Sequence, residues 1–361
     1  MARPVRAPRR RRVRPRAAVG AQLSRGAAVI TAAALGGYAL AVGLGAPRVL
    51  PRLALGDRAP RRTIALLLIL CYSLPLSAIT GGFALGITML DSLARIDPAI
   101  DNCADQLPVN DESPLAPILG TLGLSVAGLI ALWIGYCLAA TYAAAFVGSR
   151  AHASVLRLCG QPHSRLGAVV IQHDQAACYC LPGRNGRIVV TSKAVQLLTA
   201  DQLAAVLAHE RAHQRGRHHV LLGLTDALRR AIPRARLIRY TGQEVRRLVE
   251  LIADDTAARE HGRGTVAGAL AVIGTGHVPG GTLAAGAGEG ALARITRMAR
   301  PAPRLKRRPA ALGALAVVAA LLLPAVLAAV SIGVLMRHCP ASRDNESLPA
   351  AVTGYRETRR S

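Results

Sequence analysis

The sequence predicts a mainly α-helical membrane protein with a cytosolic α+β domain inserted before its last membrane span. Hydrophobic residues make up 52% of the 361 positions, but aromatic residues make up only 3%. A soluble core normally uses more Phe, Tyr and Trp, so this balance favours lipid-facing helices. Four apolar stretches are long enough to cross a bilayer, which requires about 20 residues. They are residues 27–45, 63–90, 115–147 and 310–336.

These stretches divide the chain into segments. We predict an arginine-rich tail at 1–26, three transmembrane helices with their loops at 27–147, a soluble domain at 148–309, a fourth helix at 310–336 and a polar tail at 337–361.

The net charge of +25 comes almost entirely from arginine. Such a charge could indicate nucleic-acid binding, but the sequence contains no DNA- or RNA-binding motif. We therefore expect no direct nucleic-acid partner. The charge is more typical of cytoplasmic segments that flank membrane spans and face anionic lipid, so the lipid bilayer is the expected partner.

The loops between the spans predict the orientation. Loop 46–62 and segment 148–309 are basic, whereas loop 91–114 carries six acidic residues and one arginine. Because basic loops stay on the cytoplasmic side, we place the first two inside and loop 91–114 outside. The bias towards Arg, Ala and Gly is typical of a high-GC bacterial genome, so the expected location is a bacterial inner membrane.

The predicted orientation raises two questions, one about the arginine-rich tail and one about two cysteines. With this orientation the arginine-rich tail would lie outside, although basic segments normally stay on the cytoplasmic side. There are three explanations: the first span does not cross the membrane, the whole orientation is inverted, or the start of the chain is assigned too early. Our hypothesis is the last, with Val29 as the initiator. Cys103 and Cys339 would also lie outside, where they either form a disulfide or remain free thiols.

One segment carries chemistry: residues 199–219 read TADQLAAVLAHERAHQRGRHH. Thr199 and Gln202 form a predicted capping box, followed by apolar residues at helical spacing. His209 and His213 are four residues apart, so they emerge from one face and can share a metal ion. Glu210 can then accept a proton from a coordinated water, whose pKa zinc lowers towards about 7.

A catalytic zinc ion needs a third protein ligand, and two candidates compete. Gly216 and His219 complete H-E-x-x-H-x-x-G-x-x-H, in which the glycine breaks the helix and returns a third histidine. Alternatively, Glu250 and Asp254 share one face of a second helix, so Glu250 could bind zinc while Asp254 orients a ligand histidine. We favour Glu250. Sites of the first type also have a turn with a methionine below the metal, and no methionine after His219 in this sequence suits that position.

The segment 178–219, followed by ELIADD, resembles the BlaR/MecR-type membrane metallopeptidases. The resemblance covers about residues 30–336, and its specific part is residues 178–255. It implies a gluzincin domain, with a zincin-like fold, between the third and fourth spans. It also implies Zn²⁺ bound by His209, His213 and Glu250, catalysis by Glu210 and an orienting role for Asp254.

The resemblance further implies that residues 187–192, after a turn at 182–185, form an edge strand that holds a peptide substrate by strand addition. We expect no penicillin-binding sensor domain in the tail at 337–361, which lacks an S-x-x-K motif.

The expected function is a zinc metalloendopeptidase that performs regulatory proteolysis of a cytosolic or membrane-proximal protein, with a BlaI-like repressor as candidate substrate. The alternatives are an HtpX-like quality-control protease and a non-catalytic zinc-binding signal transducer.

Other polar residues receive simpler interpretations. We expect Cys178 and Cys180 to be structural thiols on a strand, and His218 and His219 to be polar residues after the helix. Tyr240 or His261 could stabilise the oxyanion, and the run 294–308 is interpreted as a basic membrane flank.

Overall fold

A computed structural model describes residues 15–53, 56–57, 59–86, 115–181, 186–274 and 287–300, together with residues 326 and 329. Within this part of the chain the protein is mostly helical, with one small sheet. The helices are α1 (Pro15–Leu53), α2 (Pro60–Gly86), α3 (Leu115–Cys159), α4 (Ser192–Leu197), α5 (Ala200–Arg215), α6 (His218–Ala231), α7 (Arg236–His261), α8 (Arg263–Gly274) and α9 (Ala287–Ala299). The strands are β1 (Gln161–His163), β2 (Ala168–Ile171), β3 (Cys178–Cys180) and β4 (Ile188–Thr191).

Three helices of the described chain are long and apolar enough to cross a membrane: α1, α2 and α3. The predicted spans 27–45 and 115–147 lie within α1 and α3, and residues 63–86 of the second span lie in α2. The end of the second span lies outside the described residues. The fourth span also does, apart from residues 326 and 329.

Helix α3 continues beyond the predicted end of the third span, from Val147 to Cys159. The predicted domain boundary at residue 148 therefore falls inside a continuous helix. Gly148 does not end it, since a single glycine costs only about 1 kcal/mol relative to alanine and no proline follows before Pro162. The third span thus leads directly into β1.

The sheet has four strands in the order β1-β2-β4-β3, with β2 and β4 parallel and the other pairs antiparallel. Strand β4 lies inside the sheet, where Val189 faces Val169 of β2 and Tyr179 of β3. The expected edge strand at residues 187–192 is therefore wrong. All four residues of β4 are buried, as is typical of an interior strand, and the two edges of the sheet are β1 and β3.

Two apolar cores position the helices that matter for function. Helix α5 packs its Leu203 and Val206 against the buried face of the sheet. Helices α6 and α7 form a hairpin that packs against α2, with Leu67 against Leu248 and Val249. The two cores therefore fix α5 to the sheet and α7 to a candidate membrane helix.

Candidate metal centre

Helix α5 carries the first two candidate ligands. Thr199 caps it, and the predicted capping box with Gln202 is confirmed, since each residue's side chain bonds the other's backbone N–H. The four-residue spacing places both imidazoles on one face, and the Nε2 atoms of His209 and His213 lie 3.0 Å apart. Both nitrogens are thus directed at one point.

Glu250 reaches the same point from α7. Its Oε2 lies 3.5 Å from Nε2 of His209, and its Oε1 lies 3.5 Å from Nε2 of His213. One donor atom from each residue falls within a group no wider than 4.8 Å. Zinc bonds of 2.0–2.1 Å at tetrahedral angles imply ligand atoms about 3.4 Å apart, so the donor set and its spacing fit a zinc ion.

Asp254 lies one helical turn beyond Glu250 and is completely buried. Its Oδ1 is 3.0 Å from Nδ1 of His209. Because the carboxylate accepts the Nδ1 proton, it fixes the imidazole with Nε2 free for the metal. The predicted pair Glu250 and Asp254 therefore occupies the two positions that a ligand and its orienting residue require.

Arg294 of α9 also lies in this group. Its Nε and Nη2 donate to the two oxygens of Asp254 at 2.7 and 2.6 Å, and Nη1 lies 2.9 Å from Oε2 of Glu250. Arg297, one turn later, forms a similar pair with Asp255. The interpretation of this stretch as a membrane flank is wrong for both arginines, because they pair with buried or half-buried carboxylates of α7.

His218 is a second residue that sequence reasoning missed. It is 3% exposed, and its Nδ1 lies 2.8 Å from Nδ1 of His213. The chain turns at Gly216 and at Arg217, whose φ of 47° is left-handed. A Cβ on Gly216 would collide with the His218 ring, so the glycine permits this approach. The expectation that His218 is an ordinary polar residue is therefore wrong.

His219 behaves as expected for a residue outside the site. It is exposed, and the group of possible metal ligands found among the described residues contains Glu250 rather than His219. Tyr240 packs beside α2, ten positions before Glu250 on α7, which is about 15 Å along the helix axis. His261 ends the same helix.

Glu210, next to the first ligand, is buried with 9% exposure. Burial raises the pKa of its carboxyl to about 7; His209 opposes this shift, Glu250 reinforces it, and hydrogen bonds from Cys180 oppose it. Cys180 belongs to the edge strand β3, so that strand adjoins the carboxylate. Burial also raises the pKa of the Cys180 thiol to about 12, which keeps it neutral and agrees with a structural thiol.

The three candidate metal ligands also have shifted pKa values, because their charges act on one another. Burial alone would lower the pKa of His209, but hydrogen bonds with Asp254 and Glu250 outweigh it and raise the pKa to about 10. Burial and the charge of His209 lower the pKa of His213 to about 3. The pKa of Glu250 falls to about 2, because its pairs with His209 and Arg294 outweigh burial. These shifts favour an ionised Glu250 and a protonated His209 beside a neutral His213, and a bound zinc ion would take the place of the proton on Nε2 of His209.

Comparison with known proteins gives one match. The family model of Peptidase family M48 matches residues 149–232, which include the H-E-x-x-H segment but not Glu250. No curated protein and no solved structure matches the chain. The match supports a metallopeptidase in general, at a coarser level than the BlaR/MecR-type group.

Proposed function

We propose that this chain is a membrane-embedded, zinc-dependent endopeptidase. The observation that carries the proposal is the convergence of His209, His213 and Glu250 within 4.8 Å, with the buried Glu210 beside them. Those three side chains would hold the zinc ion, which supplies Lewis-acid activation of water and of the scissile carbonyl. This donor set, two histidines and one glutamate, is that of catalytic zinc sites that leave a fourth position open.

Glu210 is the proposed general base. Its position next to His209 on the buried face of α5 brings the carboxylate to the side of the site that borders β3. It would take a proton from the attacking water, hold it, and deliver it to the amine that leaves. Asp254 would keep His209 in the required tautomer throughout, through the 3.0 Å contact with Nδ1.

The substrate would bind along β3. Among the residues that the structure describes, this strand is an edge of the sheet and pairs with β4 alone, so its other backbone edge would be available to an extended peptide. Because Cys180 adjoins Glu210, a peptide added there would run past the catalytic carboxylate. The arrangement suits an extended protein segment rather than a folded surface.

The proposed physiological role is regulatory proteolysis of a cytosolic or membrane-proximal protein in a bacterial inner membrane. Helix α3 is continuous from its apolar part to the first strand of the peptidase domain, which supports a site held close to the bilayer. A BlaI-like repressor is the candidate substrate, on the strength of the sequence resemblance.

The test compares the purified full chain with two isosteric variants in detergent. Glu210→Gln removes the proposed base, whereas the control Glu260→Gln changes an exposed carboxylate that lies 3.8 Å from Arg215. Fluorescent casein is the substrate, and zinc content is measured by mass spectrometry. We expect all three proteins to contain zinc, with casein cleavage lost in Glu210→Gln alone and lost in wild type after chelation.

Two results would overturn the proposal. Equal casein cleavage by the wild type and Glu210→Gln would remove the base from the mechanism. A zinc-loaded wild type that cleaves neither casein nor any protein in its own membranes would favour a non-catalytic transducer. Crosslinking of proteins retained by Glu210→Gln in native membranes then tests whether a repressor is among the substrates.

A further inference from the structure

The hairpin of α6 and α7 ends in five arginines with no chemical role in the metal centre. This basic tip comprises Arg229, Arg230, Arg234, Arg236 and Arg239, and every member is exposed. Arg229 lies 3.7 Å from Asp226. The other four form no ion pair with any residue that the structure describes, and residues 227–243 contain no acidic side chain. An exposed cluster of one sign indicates an anionic partner.

The basic tip lies beside the middle of α3. Tyr142 donates a hydrogen bond to the carbonyl of Val220 at 2.9 Å, and Trp133 donates to the carbonyl of Ala231 at 3.2 Å. As α6 proceeds from residue 220 to 231, its neighbours on α3 therefore run back towards the N-terminal, apolar end. The tip is the part of the hairpin that reaches furthest in that direction.

Contacts with helix α2 place the basic tip at the same height along the helix bundle, independently of α3. Cys71 donates to Thr241 at 3.2 Å, and Tyr72 donates to the carbonyl of Leu224 at 3.1 Å. Further along, α2 packs against the other two long helices instead, with Gly82 directly against Gly123 of α3. Beyond the basic tip, the described chain is therefore a bundle of apolar helices.

The apolar part of α3 is longer than the hydrocarbon core of a bilayer is thick. Residues 115–149 contain no charged side chain. At 1.5 Å per residue they extend about 52 Å, whereas the hydrocarbon core is about 30 Å thick. Residues 115–133 alone extend about 28 Å and suffice to cross it. Only one part of the apolar stretch can lie in hydrocarbon, unless the helix is strongly tilted.

The arginines argue against a bilayer centred near Trp133. If the bilayer centre were near Trp133, the basic tip would lie in hydrocarbon, where each arginine disfavours insertion by on the order of a hundredfold. If residues 115–133 form the span, the tip lies at the headgroups. Aromatic side chains agree with this boundary. Trp133 and Tyr136 stack at 5.7 Å and are 51% and 61% exposed, as is typical of residues at a membrane interface.

We propose that the basic tip binds the anionic phospholipid headgroups of the bilayer surface and that Trp133 marks the edge of the hydrocarbon. A consequence concerns the metal centre: Glu250 lies 14 positions after Arg236 on α7, up to about 21 Å from the headgroups. Cleavage would then take place in a segment outside the bilayer. This surface is independent of catalysis, so the failure of either proposal leaves the other intact.

The boundary can be tested without mutation, because Trp133 is the only tryptophan of the chain. The full chain is placed in nanodiscs of phosphatidylcholine and phosphatidylglycerol that contain a nitroxide either on the headgroup or at carbon 12 of the acyl chain. We expect the headgroup nitroxide to quench Trp133 fluorescence more strongly. Stronger quenching by the carbon-12 nitroxide would put Trp133 in the bilayer interior and overturn the placement.

The lipid preference needs a charge-matched comparison. Arg230→Gln/Arg234→Gln/Arg236→Gln removes three charges from the basic tip. The control Arg157→Gln/Arg165→Gln/Arg259→Gln removes three exposed arginines outside the basic tip, in α3, in the turn between β1 and β2, and near the opposite end of α7. Native mass spectrometry of protein released from these nanodiscs gives the ratio of retained phosphatidylglycerol to phosphatidylcholine.

An arginine near an anionic surface contributes about fivefold, so the tip variant should lose preference for phosphatidylglycerol by up to about a hundredfold. The control should retain it, and about 1 M salt should abolish the difference by screening. An equal preference in both variants would overturn the proposal. So would binding of a fluorescent oligonucleotide to the nanodisc-embedded wild type that is lost only in the tip variant, which would assign the surface to nucleic acid.

Discussion

Asp254→Asn isolates the orienting role of one buried carboxylate. Asp254 is fully buried, accepts from Nδ1 of His209 at 3.0 Å and receives both donors of Arg294 at 2.6 and 2.7 Å. Asparagine keeps the shape but offers one oxygen and an NH2 group. If the oxygen serves His209, the NH2 faces the guanidinium as donor against donor; if it serves Arg294, His209 loses its fixed tautomer.

Both consequences have magnitudes. Loss of a partner that orients a ligand histidine weakens zinc binding 10- to 100-fold, which is about 1.4–2.7 kcal/mol. Breaking a buried ion pair costs roughly 3–5 kcal/mol of folding stability, and the lower end applies because the Arg294 side chain is 21% exposed. The variant should therefore lose both zinc affinity and thermal stability.

The next residue supplies a matched control. Asp255 forms the same type of pair, with Arg297 at 2.7 and 2.9 Å, but it has no contact with a ligand histidine. Zinc affinity is measured by competition with a fluorescent chelator, and unfolding is followed by circular dichroism in detergent. Asp255→Asn should reduce stability modestly and leave zinc affinity unchanged. Equal zinc affinities for the two variants would refute an orienting role for Asp254.

Three further predictions follow from other contacts. Glu250→Ala should lose stoichiometric zinc in mass spectrometry, whereas His219→Ala should retain it; the reverse result would restore the histidine as third ligand. Thr199→Ala should lower stability by about 1 kcal/mol through loss of the helix cap, measured by thermal unfolding, and an unchanged midpoint would contradict that. Gly223→Ala places a Cβ 2.7 Å from the Tyr142 ring and should destabilise the packing of α6 on α3 by about 1–3 kcal/mol in the same assay. Its control is Gly242→Ala, where a Cβ meets nothing within 4 Å and should be neutral or stabilising; equal destabilisation of the two would sink the packing argument.

The parts of the site that the sequence predicts are those whose geometry is local. The capping box of Thr199 fixes where α5 begins, and helical spacing alone then brings His209 and His213 to one face. Glu250 follows from the same reasoning, because its four-residue spacing to Asp254 is compatible with one ligand and one orienting residue on a single helix face. Residues four positions apart lie on one face of a helix regardless of how the rest of the chain folds.

The parts that the sequence does not predict depend on how distant elements meet. Arg294 approaches Asp254 across 40 positions, and nothing in its local pattern separates it from a basic membrane flank. A signal was nevertheless present, since the adjacent acids Asp254 and Asp255 match Arg294 and Arg297, which lie one turn apart. His218 becomes buried only through the two-residue turn after α5, and a turn of that kind has little sequence signature.

Strand order shows the same limit. The strands of this sheet have three or four residues each, too few for periodicity to distinguish an edge from an interior position. The run of apolar residues in β4 was the available signal, because consecutive buried residues require cover on both faces of the sheet, as is typical of an interior strand. In the structure the edge strand beside Glu210 is β3, which contributes Cys180 to the surroundings of that carboxylate.

The metal centre joins two parts of the protein that are anchored differently. His209 and His213 belong to α5, which packs on the sheet, whereas Glu250 belongs to α7, whose earlier turns pack on α2. An ion bound by all three residues would therefore tie the sheet to a candidate membrane helix. Helix α7 also begins at the basic tip, so one helix carries both that surface and Glu250. If the tip binds the headgroups as proposed, the membrane would be part of the framework that holds the third candidate ligand in place.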